Sequence, residues 1–327
     1  MSAHNILITG ASSGLGYATV QALCARLRSQ PTQDSPRIFI TATLATTAAA
    51  AAAQLSRETG CPVCGLALDL GSEGSMESFL AELDKRTGDA QFSAIFLNAG
   101  IQLVNGLKRN DAGYELTMAV NQIGHLRLLF RLWNRIKPQG RVVFVGSSTH
   151  NPDNKLARRS GFRGASFTSV AQWLDGQGDP QRTLAQQGLD RYANSKLANI
   201  VTALELTRRV APERMEFYAV DPGLMPGTGL ARDHSWLNRL RWSVLRALTP
   251  LIPGASTPKD SAAVVAKVLL GELSAETVGG HYLDFSGRPA PRSALVDDAQ
   301  AGMAMLDQML SLPGIGPRVP QFKAVEF

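Results

Sequence analysis

The stretch NILITGASSGLG, residues 5–16, joins a short apolar run to a glycine-rich turn and to the start of a helical pattern. Glycine at positions 10, 14 and 16 allows a tight turn and a close approach of the backbone to a ligand. A helix that begins there offers free amide groups and the positive end of its dipole, and both favour a phosphate. The order strand, glycine-rich turn and helix predicts a dinucleotide-binding loop, formed by Gly10, Ser12, Ser13, Gly14, Leu15 and Gly16.

Beyond this loop, short apolar runs alternate with longer amphipathic ones. Runs such as RIFIT (37–41), FSAIFL (92–97) and EFYAV (216–220) indicate strands, and stretches with apolar residues at helical spacing separate them. Strands that alternate with helices need crossover connections and form a parallel sheet covered on both faces. We therefore predict an α/β fold over residues 1–327, a single-domain Rossmann-type doubly wound parallel sheet flanked by helices.

Two segments interrupt this alternation. Residues 149–189 are polar, rich in glycine and long for a loop, which predicts an insertion after the fifth strand, beside the active site. Residues 230–252 form an irregular amphipathic helical pattern after the sixth strand. That pattern fits a helix facing the core, a lid over a substrate pocket or a helix lying on a membrane surface. We expect both segments to contribute to substrate binding, the second as a lid.

The composition is that of a soluble globular protein, with 44% hydrophobic and 18% charged residues. The net charge of +6 suits an anionic cofactor or a membrane surface, but it is too dispersed to indicate nucleic acid. The first apolar strand begins at Asn5, so we expect no targeting segment. Three cysteines in 327 residues indicate a reducing compartment, and we predict a cytoplasmic protein, with peripheral membrane contact left open. No metal site is expected.

The sequence RYANSKLANI, residues 191–200, places Tyr192 and Lys196 one helical turn apart. Residues four apart share a helix face, so the ammonium group can lie beside the phenol. A neighbouring cation favours phenolate and lowers the phenol pKa, which would make the tyrosine a usable acid and base. The same spacing also occurs by chance, with the tyrosine an ordinary aromatic residue, and the rest of the chain must decide between the two.

Small and polar residues end two further strands. ALDL (67–70) ends with Asp69 and Leu70, and the carboxylate can accept a hydrogen bond from an adenine amine or cap the next helix. LNAG (97–100) ends with Asn98, Ala99 and Gly100, whose small side chains permit close packing against a cofactor.

Six motifs now stand in order: T-G-x-x-x-G-x-G, D-L, N-A-G, an asparagine in AVNQIGHL, a serine after the fifth strand, and Y-x-x-x-K. Over nearly its whole length the chain resembles the short-chain dehydrogenase/reductase family. The resemblance implies that Tyr192 exchanges a proton with the substrate oxygen while a nicotinamide carries hydride. It further implies that Lys196 lowers the tyrosine pKa and holds the nicotinamide ribose, and that Asn121 orders a water chain behind the lysine.

The resemblance also assigns the hydroxyl that binds the substrate carbonyl. In VVFVGSS, Ser147 aligns best with that serine, and Ser148 is the alternative. The stretch DPGLMPGTGL, 221–230, is similar to the family's proline-glycine turn after the sixth strand. There Pro222, Gly223 and Thr228 would contact the carboxamide and the phosphates of the cofactor.

The choice between the two nicotinamide cofactors depends on the end of the second strand. FITATLAT has no acid there to bind ribose hydroxyls, as NAD enzymes usually do, and no arginine near Thr43, as many NADP enzymes have. Because no carboxylate would repel a phosphate, and Ser12, Ser13 and Thr43 can donate to one, NADP(H) is favoured and NAD(H) stays open.

Within the family, VGSSTHNPDNK and the long insertion resemble the protochlorophyllide oxidoreductases, while other stretches fit the retinol dehydrogenase-like group equally well. The photoenzymes carry a cysteine two residues after the lysine, where this chain has Ala198. We therefore expect carbonyl–alcohol interconversion on a bulky apolar substrate. Light-dependent reduction of protochlorophyllide is the alternative, and a non-catalytic NADP-binding sensor is a remote one. Many relatives are dimers or tetramers, so a homo-oligomer is expected.

Overall fold

A computed structural model describes residues 5–29, 36–225 and 254–315. Its seven strands are β1 Asn5–Ile8, β2 Arg37–Ala42, β3 Val63–Ala67, β4 Phe92–Leu97, β5 Ile136–Val145, β6 Met215–Val220 and β7 Tyr282–Leu283. They form one parallel sheet in the order β3-β2-β1-β4-β5-β6-β7. The predicted doubly wound parallel sheet is confirmed.

Helices connect these strands. They are α1 Gly14–Ser29, α2 Ala45–Thr59, α3 Glu73–Thr87, α4 Leu116–Met118, α5 Gly124–Leu132, α6 Lys155–Arg159, α7 Val170–Asp175, α8 Leu184–Arg209, α9 Pro258–Leu270, α10 Ala275–Val278, α11 Ala294–Asp297 and α12 Ala299–Leu310.

Both faces of the sheet are buried. Along β1, Leu7 packs into one apolar cluster with residues of α5, α8 and α12, whereas Ile6 and Ile8 pack into a second one with residues of α1 and α9. Because successive side chains of a strand point to opposite faces, a strand buried on both sides reads as a continuous apolar run. For this reason, the short apolar runs in the sequence predict the strands of the sheet.

The strand order locates a ligand crevice. The chain moves outward from β1 to β3 in one direction and from β4 to β7 in the other, so the connections diverge between β1 and β4. Ligands of open α/β sheets bind at such a switch point, outside the carboxyl ends of the strands. The glycine-rich turn after β1 and the N-A-G segment after β4 both lie at this position.

The segment 114–133, between β4 and β5, is not one regular helix. It consists of α4, a π-helical turn over Ala119–Ile123, α5 and a 3-10 turn over Trp133–Arg135. A π-helical turn inserts one extra residue into the hydrogen-bonded ring and is frequent at functional sites. The spacing of apolar residues does not indicate the π-helical turn, because buried residues lie before, within and after the turn.

The polar segment 149–189 contains more regular structure than a loop. It includes α6 and α7, and α8 begins at Leu184, capped by the Thr183 hydroxyl, so the last residues of the predicted insertion belong to the helix that carries Tyr192. The predicted lid over 230–252 lies outside the described residues.

The alanine-rich helix α2 packs unusually close to β3. A methyl group at Gly65 would lie 2.1 Å from the backbone oxygen of Ala48, so the glycine is required by the contact between the two elements. We predict that Gly65→Ala destabilises the protein by about 2 kcal/mol, because overpacking forces the helix from the sheet. In urea denaturation, Gly74→Ala is the matched control, since a methyl group there contacts nothing within 4 Å. Equal stability of the two variants would contradict the close contact.

Candidate active site

The turn between β1 and α1 lies directly against the segment after β4. Gly10 has a φ of +63°, and a methyl group there would lie 2.8 Å from the Ala99 Cα. A methyl group at Gly16 would lie 2.6 Å from the amide nitrogen of the Asn98 side chain. Any side chain at these two positions would therefore push the turn away from β4.

Two threonines hold the turn in place. The Gly10 amide donates to the Thr41 hydroxyl at 3.2 Å, and the Ala11 amide donates to the Thr41 carbonyl at 3.0 Å. The Thr9 hydroxyl accepts from the amides of Asn98 at 2.8 Å and Ala99 at 3.0 Å. In return the Asn98 side chain donates to the Thr9 and Gly10 carbonyls, at 2.8 and 3.2 Å. Strands β1, β2 and β4 are thus joined at their carboxyl ends.

A buried histidine extends this network to the helix that carries Asn121. His125 Nδ1 lies 3.0 Å from the Asn121 carbonyl, and its Nε2 lies 2.9 Å from the Thr9 hydroxyl. Because a carbonyl can only accept, Nδ1 carries the proton and Nε2 must accept from Thr9. Burial, together with the nearby Lys196 charge, lowers the His125 pKa from 6.5 to about 4, so the ring is neutral at physiological pH.

Asn121 lies in the π-helical turn and its side chain is fully buried. Its amide donates to the Ile101 carbonyl and to the Ser195 hydroxyl, both at 3.0 Å, and its oxygen accepts from the Ile101 amide at 2.8 Å. The Ser195 hydroxyl donates to the Tyr192 carbonyl at 2.8 Å. The asparagine therefore ties the backbone after Gly100 to the turn of α8 that presents the tyrosine.

Tyr192 and Lys196 lie on one face of α8, and both are buried. Lys196 Nζ donates to the Val145 carbonyl at 3.1 Å and lies 5.4 Å from the centroid of the tyrosine ring. Asn199 donates to the same carbonyl at 2.9 Å. These two hydrogen bonds fasten α8 to the carboxyl end of β5.

The tyrosine pKa differs from the sequence-based expectation. Burial raises the Tyr192 pKa well above its usual value, and the Asp221 carboxylate raises it further. Lys196 lies against the ring, and burial lowers the pKa of this lysine to about 8. In the protein alone, desolvation outweighs the cation that the i, i+4 spacing brings close.

The two serines after β5 differ in their partners. Ser147 Oγ accepts from the Thr149 amide at 3.3 Å, and within the described residues no acceptor is recorded for its hydrogen. Ser148, through its amide and its hydroxyl, donates to the Asp221 carboxylate. The Ser147 hydroxyl can therefore donate to a substrate, whereas the Ser148 hydroxyl already has an acceptor.

The other predicted cofactor positions follow the same edge of the sheet. Ser13 and Thr43 are exposed, Ser12 is half-buried, and Leu15 is buried beneath the turn. The Asp69 carboxylate accepts from the Gly71 amide at 2.9 Å, and Leu70 is buried beside it. Helix α3 is capped by Ser72, so Asp69 is not the helix cap. Pro222 and Gly223 follow β6, and Thr228 lies outside the described residues.

These residues fit a dinucleotide. The glycines let the turn after β1 pack closely against the end of β4 and lead into the N-terminus of α1, and the buried Lys196 cation lies at the same edge of the sheet. We infer that the turn would hold the pyrophosphate at the N-terminus of α1, with Lys196 towards the nicotinamide ribose.

The insertion places one aromatic ring, that of Phe162, beside Tyr192. The centroid of the Phe162 ring lies 6.0 Å from that of Tyr192, at an angle of 47° between the ring planes. The segment is joined to the site by the Ala165 amide, which donates to the His150 carbonyl at 2.9 Å. The Ser166 amide donates to the Asn194 side chain of α8 at 2.9 Å.

Sequence comparison assigns this site to a family. Residues 4–157 match the family model described as short chain dehydrogenase. A short chain dehydrogenase/reductase, dpchH, of Colletotrichum higginsianum is 30% identical over 90% of this chain and 71% of its own length. Retinol dehydrogenase 12 of Bos taurus is 30% identical over 72% of this chain and 66% of its own length. Protochlorophyllide reductase B of Hordeum vulgare is 30% identical over 72% of this chain and 60% of its own length.

Among solved structures, the landomycin C-6 ketoreductase LanV superposes with a TM-score of 0.57 at 19% identity, over 88% of this chain and 96% of that one. At this identity the likeness concerns the fold.

The chain belongs to the short-chain dehydrogenase/reductase family, and it is an NAD(P)-dependent oxidoreductase. Its relatives include retinol dehydrogenase and protochlorophyllide reductases, the two groups that the sequence motifs indicated.

Several residues that shape the site were not predicted from the sequence: Thr9, Thr41, His125, Ser195, Asn199 and Asp221. For most of them the spacing carries no signal, because they act on residues of other elements. A signal existed for Thr9, the first residue of the T-G-x-x-x-G-x-G motif, and for Asp221, an acid in the apolar strand end AVDPG.

Within residues 5–29, 36–225 and 254–315, no helix has both the length and the apolar character needed to cross a membrane. The same part of the chain contains no cluster of histidine, cysteine or carboxylate side chains suited to a metal ion.

The buried histidine makes stability depend on pH. In the unfolded protein, the imidazole binds a proton as the pH falls below its usual pKa of 6.5. In the folded protein, the buried ring stays neutral until the pH falls to about 4. Acid therefore favours unfolding, and stability is lost as the pH falls from 6.5 to 4. We predict a loss of about 3 kcal/mol between pH 7 and 4 from this group. Denaturation of His125→Gln should show a correspondingly smaller dependence; the same dependence in both proteins would assign it to other groups.

Proposed function

We propose that the protein is an NADP(H)-dependent reductase that converts a carbonyl on a bulky apolar substrate to an alcohol, with Tyr192 as the acid/base. One observation carries this proposal. Lys196 is bonded to the Val145 carbonyl at the carboxyl end of β5, Ser147 follows that strand, and the Tyr192 ring contacts both Lys196 and the Phe162 ring. A proton donor, a cation and a free hydroxyl beside an apolar wall suit a carbonyl that becomes an alcohol.

Each residue has a defined part in the proton step. The Ser147 hydroxyl donates to the substrate oxygen and orients it towards the phenol. Tyr192 passes its proton to that oxygen as negative charge develops there. Lys196 stabilises the resulting phenolate through its positive charge, and the hydrogen bond to the Val145 carbonyl keeps the ammonium beside the ring. When bound, the nicotinamide supplies the hydride.

The substrate side of the site would be built by the insertion 149–189 and by the predicted lid 230–252. Phe162, half-buried against Tyr192, offers an apolar surface beside the reacting carbonyl. An aromatic ring at this position favours an apolar substrate over a small polar one. The reducible group would lie between this ring and Ser147.

NADP(H) is the proposed cofactor. Strand β2 ends at Ala42, and the next residue, Thr43, is exposed and is not an acid. A phosphate on the ribose would meet hydroxyl groups there and no carboxylate, with Ser12 and Ser13 on the neighbouring turn. The landomycin C-6 ketoreductase LanV, which shares the fold, was solved with bound NADP and rabelomycin.

Light-dependent reduction of protochlorophyllide is the second candidate, since protochlorophyllide reductases are among the relatives. The residue at position 198, an alanine, is evidence against this second candidate. At the position of the photoenzymes' cysteine the chain has a small apolar side chain, fully buried in the apolar cluster beneath α8. It therefore offers neither a proton nor a surface for the substrate.

The proposal also includes the substrate class, the localisation and the oligomeric state of the protein. A small-molecule substrate is typical of the family, and we propose a cytoplasmic homo-oligomer. Peripheral membrane contact would involve Trp236 and Trp242, which lie outside the described residues. A non-catalytic sensor would not require the buried Tyr192 and Lys196 pair.

Cofactor choice can be tested at the end of β2. We predict that Thr43→Asp raises the KM for NADPH at least about tenfold and lowers that for NADH, because a carboxylate repels the phosphate and binds ribose hydroxyls. Steady-state kinetics with both cofactors measure the change. Thr47→Asp, an equally exposed position on α2, is the matched control and should leave the preference unaltered. An unchanged preference in Thr43→Asp would place the phosphate elsewhere.

The reaction is tested by NADPH consumption with a panel of bulky aldehydes, ketones and quinones and with protochlorophyllide, in darkness and under illumination. We expect dark turnover of a panel carbonyl. Tyr192→Phe should lower it by about a thousandfold or more while cofactor binding persists, because the ring stays and the proton donor is lost.

Ser147→Ala should lower turnover about a hundredfold, whereas Ser148→Ala should change it far less. Turnover of protochlorophyllide alone, and only in light, would replace the carbonyl proposal with the photoenzyme. Full activity of Tyr192→Phe would remove the tyrosine from the reaction.

A further inference from the structure

A buried carboxylate lies beside the proton-transfer residues and has no part in the mechanism described so far. Asp221 directly follows β6 and is 7% exposed. Val145 and Val220 are partners in the β5–β6 ladder, and the Gly146 amide donates to the Val220 carbonyl at 2.9 Å. Since Lys196 is bonded to the Val145 carbonyl, the register of two strands brings Asp221 next to the active site.

The position of the carboxylate is well defined. Its backbone amide donates to the Leu283 carbonyl of β7 at 2.7 Å, and Oδ1 accepts from the Gly223 amide at 2.9 Å. The Ser148 amide and hydroxyl donate to it from the turn after β5. Donors from two loops favour the charged form and partly offset the burial, which raises the Asp221 pKa.

The groups that face Asp221 come from three elements. Helix α8 contributes Tyr192 and Lys196, whose pKa values the carboxylate raises in both cases. Strand β7 contributes the Tyr282 phenol, and the turn after β7 contributes a second acid, Asp284. From the turn after β5, the neutral imidazole of His150 packs edge-on against Tyr282, with ring centroids 5.8 Å apart.

We infer that Asp221 is a positioning residue for proton transfer: it holds the Gly223 turn and places a carboxylate beside the end of β5, where Lys196 is bonded. The inference rests on the proposed reductase function. A carboxylate beside the phenol and the ammonium group favours the protonated form of each, and these are the forms from which reduction starts.

The proton balance follows from this. In reduction, the O–H bond of Tyr192 breaks as its proton passes to the substrate oxygen, while hydride from the reduced nicotinamide adds to the carbonyl carbon. A proton from solvent then restores the phenol. Asp221 exchanges no proton; it makes the protonated state of both groups more favourable.

The test uses the Asp221→Asn variant, which removes the negative charge and keeps the shape of the side chain. In cofactor-free protein with isotope-labelled lysine, side-chain NMR follows the loss of the Lys196 proton, with Lys196→Met to assign its signal. The midpoint is expected near 8 in the native protein and about one unit lower in Asp221→Asn. The high-pH limb of kcat/KM for carbonyl reduction should shift in the same direction.

Asp284→Asn is the matched control. It removes a charge from the same neighbourhood but leaves Asp221 intact, so its NMR midpoint and its pH profile should stay close to those of the native protein. If Asp221→Asn does not fold, Asp221→Ser takes its place, with a smaller side chain that still accepts from Gly223.

An unchanged Lys196 midpoint, or activity that falls equally at every pH, would overturn the inference and leave Asp221 a purely structural residue. The NMR titration needs no substrate. If no carbonyl is reduced but the midpoint shifts, the proposed function fails and the electrostatic coupling of Asp221 to Lys196 stands.

Discussion

The Thr9 hydroxyl connects the elements on which the site depends. It accepts from two amides of the segment after β4 and pairs with the His125 ring beneath Asn121. A hydroxyl has one hydrogen and two lone pairs, so this arrangement uses its full capacity. The Phe96 carbonyl, 3.4 Å away, is the longer alternative acceptor. The turn after β1, the end of β4 and the helical segment that carries Asn121 are therefore joined by hydrogen bonds.

Electrostatics at the other end of the site follows from burial. Tyr192 and Lys196 are both buried, and desolvation shifts their pKa values in opposite directions, towards the neutral form of each. The Asp221 carboxylate favours the protonated form of both. In the protein alone, such a site favours the phenol over the phenolate. Relatives that share the Y-x-x-x-K spacing need not share this bias.

The insertion is attached to the elements on either side of it. Its Ala165 amide donates to the His150 carbonyl after β5, and Phe162 contacts Tyr192 of α8. Because α8 already begins at Leu184, the polar segment continues directly into the helix that carries Tyr192. A substitution in this segment would therefore act on the orientation of the tyrosine.

By itself, the sequence determined the parallel sheet, the glycine turn at its switch point and the candidates Asn121, Ser147, Tyr192 and Lys196. Strand runs, glycine spacing and ordered motifs are local features, and local features can be read along a chain. Only the tertiary structure decided that His125 joins Thr9 to Asn121, that Ser148 is committed to Asp221, and that burial outweighs the lysine at Tyr192. These depend on distances and desolvation between residues far apart in sequence, which no periodicity encodes.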